Sequence, residues 1–205
     1  MQSREVTRGA EGIMAAKVLV PAILLAALVA AGAPWDRSFA YEVGGVRFSE
    51  RVPAGNSDLV LKGAGILRYK VVFRGYAVAL YLPPGTPETA ALSGVAKRLE
   101  FEYFWSIPGP EFGKAAEPIL RRNAGERVVA SLRERIDRMN RHYRDIKPGD
   151  RYALTFVPGQ GTELSLNGTP LVTIEGDDFA AAYFAIWLGP EPIDRDLKEK
   201  LLGAV

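Results

Sequence analysis

Apolar and polar residues alternate along this chain with two different periods, and the switches between them outline its elements. From 41 to 106 the spacing is that of strands. Tyr41 to Phe48, Asp58 to Lys62, Ile66 to Phe73 and Tyr76 to Leu82 are short runs rich in Val, Leu, Tyr and Phe, bounded by Gly, Pro and Asn. Gly63-Ala64-Gly65 reads as a turn between two of them, and Arg74-Gly75 as a tight turn or bulge. Thr86-Pro87-Glu88 has the order of cap, first-turn proline and acid that opens a short helix. Lys97 to Ser106 sets Leu99, Phe101, Tyr103 and Trp105 against Glu100 and Glu102, the pattern of a half-buried strand.

Beyond Pro108-Gly109-Pro110 the period becomes helical. Phe112, Ala115, Ala116, Ile119 and Leu120 line one face, and Val128, Leu132, Ile136, Met139 and Tyr143 line a second, with a break or kink expected at Asn123-Ala124-Gly125. Strands return at Arg151 to Val157, Glu163 to Leu166 and Leu171 to Ile174. The last two are joined by Asn167-Gly168, a strong hairpin signal. Asp177 is placed to cap a helix carrying Phe179, Tyr183, Ile186 and Trp187, and Asp194 to Leu202 forms a final amphipathic turn or two. Hairpins segregated from helices, without strand–helix–strand alternation, predict an α+β fold: a mainly antiparallel sheet with helices packed on one face.

The front of the chain breaks this pattern. Residues 18–33 hold sixteen positions without a charge, preceded by Lys17. A membrane-spanning helix needs ~20 apolar residues, so the run is short for a span and fits the core of an export signal. Ser38-Phe39-Ala40 supplies small residues for cleavage after Ala40, and Ala31-Gly32-Ala33 is a rival disfavoured by Pro34. An uncleaved anchor is the alternative. Residues 1–13 are an unusual lead-in, and translation from Met14 would give a more ordinary one. The expected organisation is a signal peptide over 1–40 and one domain over 41–205, exported to a periplasm or secreted.

Composition then narrows the chemistry. The 205 residues include 26 basic and 24 acidic side chains, a balance that does not suggest nucleic-acid binding. Cysteine is absent, which removes disulfides, thiolate nucleophiles and cysteine metal sites. His142 is the lone histidine, on a charged helix, so no metal site and no Ser-His-Asp arrangement is expected. No cofactor is expected either; Gly63-Ala64-Gly65 lacks the third glycine of a dinucleotide loop and opens a strand. From Arg121 to Arg151 ten basic residues face five acidic ones. That stretch is read as a solvated helical surface, with weak contact to an anionic membrane as its functional alternative. The strand from Phe101 to Trp105 is read as core first and ligand wall second. Glu100 and Glu102 are too isolated to argue for an acid–base pair.

Two stretches add a resemblance. Gly63-Ala64-Gly65-Ile66-Leu67-Arg68, with the strand ending Ala77-Val78-Ala79-Leu80-Tyr81-Leu82, resembles the opening of chalcone isomerase-like domains. Pro158-Gly159-Gln160-Gly161-Thr162, Leu166-Asn167-Gly168 and Asp178-Phe179 through Ile186-Trp187-Leu188-Gly189 look like the bacterial exported branch of that family. The resemblance covers nearly all of 41–205 and implies an open-faced sandwich with a ligand cleft between sheet and helices. It also implies that Arg68 matches an arginine that contacts ligand in the family's plant enzymes and holds a carboxylate in its fatty-acid-binding members. A guanidinium fork suits that role. The position of the enzymes' catalytic threonine holds Tyr76 here, and their tyrosine and lysine fall near Phe112 to Ala116, where Phe112 lacks a hydroxyl and Lys114 is out of register.

The expected function is therefore binding, without catalysis, of a small amphipathic anion such as a fatty acid, with Arg68 and Tyr76 as ligand contacts. Two alternatives stand beside it. One is an isomerase or intramolecular lyase acting on a phenolic or enone substrate through Arg68. The other is an envelope interaction protein using the basic helical surface.

Overall fold

The computed structural model describes residues 39–69 and 73–203, all within the unit running from Arg37 to Val205. The apolar run at 18–33 and most of the predicted leader lie outside the described residues. Among those described, no helix is long and apolar enough to cross a membrane.

A two-stranded hairpin, β1 (Phe39–Val43) and β2 (Val46–Ser49), precedes a seven-stranded antiparallel sheet. The sheet strands are β3 (Arg51–Ala54), β4 (Ser57–Tyr69), β5 (Phe73–Leu82), β6 (Lys97–Tyr103), β7 (Arg151–Val157), β8 (Gly161–Leu166) and β9 (Thr169–Ile174). Their order in space is their order in sequence, a continuous meander. The helices α1 (Gly109–Ser131), α2 (Arg133–His142), α3 (Asp177–Leu188) and α4 (Arg195–Leu202) complete the α+β sandwich. Asn167-Gly168 turns the β8–β9 hairpin with φ of 51° and 81°, as the dipeptide predicts. The expected kink falls at Gly125.

Alternation separates two cores on the faces of one sheet. Val78, Leu80, Leu99, Phe101 and Leu154 face the helices, while Ala77, Ala79 and Tyr81 face Val46 and Phe48 of the β1–β2 hairpin. That second face also carries charge. Arg151 bonds Glu100 at 2.8 Å and Glu102 at 2.7 Å, and Arg98 reaches Glu100 at 3.2 Å. The two glutamates are thus held in an ion-pair network.

Several elements differ from the sequence reading. The run from Tyr41 to Phe48 is a hairpin rather than one strand. Of the two runs expected next, Asp58 to Lys62 and the start of the second, Ile66 to Tyr69, belong to a single strand, β4, while Phe73 opens β5. Gly63-Ala64-Gly65 is consequently mid-strand and not a turn. A side chain at Gly63 would stand 2.1 Å from the Lys200 carbonyl oxygen, so its bare backbone lets α4 lie on β4. Arg74-Gly75, by contrast, takes the second of its two expected forms, a bulge: Leu67 pairs with Tyr76 and Arg68 with Arg74, leaving Gly75 extra. Thr86 caps no α-helix; a single 3-10 turn follows at Glu88–Ala90. Gly176 rather than Asp177 stands at the start of α3. Val128 is exposed, and Val129 takes the buried place ahead of Leu132 because the kink shifts the helical phase. Trp105 is 55% exposed, since β6 ends at Tyr103 before alternation could carry the indole inward.

Candidate functional site

Between the helix-facing side of the sheet and helices α1 and α3 lies a cavity of about 440 Å³. Small-molecule sites span roughly 300–1,000 Å³, so the volume suits one ligand of modest size. Its sheet wall includes Tyr76, Phe101, Tyr103, Tyr152 and Leu154, placed by alternation along β5, β6 and β7. Its helical wall includes Phe112 and Ile119 from α1 and Ile186 and Trp187 from α3. The apolar periodicity that buries these helices thus also builds the cavity.

The polar groups inside are phenols. The Trp187 indole N–H donates to the Tyr76 hydroxyl at 2.8 Å, leaving the Tyr76 proton free for an acceptor. The Tyr143 and Tyr183 hydroxyls share a hydrogen bond of 3.0 Å. The Tyr152 hydroxyl is occupied at both ends, accepting from the Arg144 N–H and donating to its carbonyl. The Tyr103 side chain makes no hydrogen bond among the described residues, its backbone pairing with Asp150 and Gly149. Aromatic contacts fix the set: the Tyr103 ring lies 5.4 Å from Tyr76 and 5.5 Å from Phe112, which stacks on Tyr143 at 4.7 Å.

Burial keeps these phenols protonated. Loss of water raises Tyr76 and Tyr103 well above the ordinary tyrosine value, and Tyr183 is pushed up to about 12. The site can therefore donate hydrogen bonds to an oxygen but holds its protons tightly near neutral pH. Charge appears only at the rim. Glu111 and Lys114, both exposed, pair at 2.6 Å on the turn of α1 that also carries Phe112. Charge in the lining is thus confined to that turn of α1, while Ile119, Leu154 and Ile186 add apolar wall.

The structure separates the two residues singled out from sequence. Tyr76 lines the cavity. Arg68 does not: Leu67 points into the cavity, and the next residue along the strand points away, with its side chain exposed. Phe112 occupies the cavity wall at the position considered for a catalytic tyrosine, and Lys114 sits at the mouth. Tyr143 and Tyr183 were visible in sequence only as apolar-face positions. The available signal was a hydroxyl on residues whose spacing buries them. Among the described residues no group of three or more His, Asp or Glu is placed to hold a metal ion. The His142 ring lies against the Arg138 carbonyl at 2.8 Å.

A sequence model of the chalcone isomerase-like family matches residues 40–203. The chain belongs to that family. Among solved structures it is similar to the crystal structure of a fatty-acid binding protein of Arabidopsis thaliana, with a TM-score of 0.59 and 15% sequence identity, over 77% of this chain and 92% of that one. At that identity the likeness is one of fold. No curated protein matches the chain.

Proposed function

We propose that this protein binds, without catalysis, a small amphipathic acid of the fatty-acid kind in the cavity between sheet and helices, and does so after export. The observation that carries this reading is the cavity itself: mainly apolar walls with neutral hydroxyl donors set among them. The fatty-acid binding of the structurally similar plant protein supports the ligand class.

In this reading the carboxylate accepts hydrogen bonds from Tyr103 and Tyr76, beside the Lys114–Glu111 pair at the rim. The tail lies along Ile119, Leu154 and Ile186. Desolvating a carboxylate costs several kcal/mol, and hydrogen bonds to charged groups return ~1.5–3 kcal/mol each, so two phenol donors are of the size needed to offset it. Tightly held phenol protons disfavour proton transfer, which supports binding over turnover. Arg68 is assigned no contact with the bound acid, because its side chain lies outside the cavity.

Native mass spectrometry of protein recovered from its own host tests both parts, with the expected result a chain beginning at Tyr41 and carrying one organic acid. Tyr103→Phe should weaken fatty-acid binding roughly 10- to 100-fold, the loss of one hydrogen bond to a charged group. Arg68→Ala should leave it unchanged. Loss of binding in Arg68→Ala would return the head group to that arginine, and turnover of a phenolic enone would overturn the non-catalytic reading.

A further inference from the structure

Half of the ten basic residues from Arg121 to Arg151 are already engaged. Arg121 and Arg133 pair with Glu117, Arg135 with Asp178, and Arg151 with Glu100 and Glu102. Arg122 is held by the carbonyls of Glu191 and Pro192. What remains at the end of the stretch is different. Arg141, Arg144 and Lys147 are exposed and make no side-chain hydrogen bond or ion pair among the described residues.

These free cations share one end of the molecule with the cavity's polar rim. Ile107, which lines the cavity, bridges to Ile146, between Arg144 and Lys147. Two residues before Ile107 stands Trp105, 55% exposed, its indole N–H tied to the Arg74 carbonyl at 2.7 Å. Arg74 in turn is the register partner of Arg68, another exposed cation. Arg141 and Lys114 line a shallow groove beside the cavity, and Lys114 lines the cavity too. The acids of this end are already engaged: Glu111 by Lys114, Asp145 by the Gly109 N–H, and Asp150 by the Lys147 N–H and the Asn167 amide.

We infer that this end is a docking surface for an anionic lipid bilayer, with Trp105 seated among the head groups, Arg68, Arg141, Arg144 and Lys147 facing the anionic lipid, and the cavity mouth turned toward the membrane. Three independent features point there. An indole held at the surface with its N–H satisfied by backbone is suited to the membrane interface, where tryptophan partitions. Unpaired cations near an anionic leaflet each contribute attraction that lysine and arginine lose once paired. Finally, the mouth is continuous with the patch, so a poorly soluble ligand could pass between bilayer and cavity without crossing water. That last step rests on the binding function proposed above; the docking itself does not.

Sedimentation with vesicles tests the surface, using the full chain and comparing phosphatidylglycerol-containing with pure phosphatidylcholine vesicles. Preferential binding to the anionic vesicles, weakened by salt, is expected. Each cation near the surface is worth roughly fivefold in partitioning, so Arg141→Ala/Arg144→Ala/Lys147→Ala should lose on the order of a hundredfold. Arg127→Ala/Arg195→Ala/Lys200→Ala, three exposed cations elsewhere, should lose little. The blue shift of tryptophan emission on anionic vesicles should vanish in Trp105→Phe. Equal binding to both vesicle types, equal loss in the two triple variants, or no binding to either vesicle would overturn the proposal. Displacement of a fluorescent fatty acid, measured without vesicles on the same variants, should be unchanged. Failure of that assay in the wild-type protein would count against the cavity reading alone.

Discussion

Lys97 opens β6 with its ammonium inside the core, 1% exposed, between the rings of Phe156 and Phe184. It donates to the Ser93 carbonyl at 2.6 Å, which ties the preceding loop to the sheet. Burial lowers its pKa to about 8, with Asp177 pulling the other way. A lysine whose pKa is depressed by folding binds fewer protons in the native state than in the unfolded one, between the native value and the ordinary value near 10.5. Stability should therefore rise with pH between about 8 and 9, with a slope below the ~1.4 kcal/mol per pH unit of one full proton. Above about pH 9 the buried tyrosines reverse the trend, because they stay protonated in the folded state while the unfolded phenols begin to lose protons on the way to their ordinary value of 10.0. Urea denaturation between about pH 8 and 9 should show the rise in wild type and no rise in Lys97→Met. A rise that persists in the variant would place the titrating group elsewhere. The alternation of β6 already put Lys97 in phase with Leu99, Phe101 and Tyr103, yet a lysine's long stem and charge make surface the default, and only the packed loop shows where the ammonium goes.

Among the elements, β4 and α4 show how one signal can carry two meanings. Paired glycines mark turns in sequence, and they equally mark places where another backbone comes close. Here the second meaning holds, and the two positions differ in what a side chain would meet. At Gly63 it would meet backbone, the Lys200 and Leu201 carbonyl oxygens at 2.1 and 2.7 Å. At Gly65 it would meet the Cδ1 of Leu197 at 2.7 Å, the far end of a side chain that can turn aside. Gly63→Ala should thus displace α4 and cost about 3 kcal/mol or more, whereas Gly65→Ala should cost about 1 kcal/mol. Hydrogen exchange locates the effect: the amides of Arg195–Leu202 should lose protection in Gly63→Ala while those of β6 and β7 keep theirs. Equal losses throughout the sheet would mean that α4 is integral to the cooperative core rather than laid upon it. The Asn167-Gly168 hairpin, by contrast, was fully legible, because its requirement for positive φ at successive residues admits few other readings.

For the molecule as a whole, the meander and its single helical layer followed from short connections and the two periods, but the face on which the ligand cavity opens did not. Strict alternation divides β4 into two sets, one with Leu67 and one with Arg68, and is silent on which set the helices cover. The answer comes from α1, α3 and α4 together, which close over the Leu67 set and leave the other to the β1–β2 hairpin and its ion pairs. The consequence is a sheet whose helix-covered face is packed around unfilled volume. A ligand occupying that volume binds only the folded chain, so at a concentration a hundredfold above its dissociation constant it should add about 2.7 kcal/mol to stability. For a domain of this size that corresponds to a rise in Tm of roughly 5–10 °C. Ala116 lines the cavity from α1 and is half-buried, so Ala116→Phe should place a ring in the same space. Scanning calorimetry with and without a long-chain acid should then show the full rise in wild type and little or none in the variant, whose unliganded Tm should hold or increase. If the variant retained the whole rise, the acid would be binding outside the cavity, and the tyrosine end would lose its role as the head-group site.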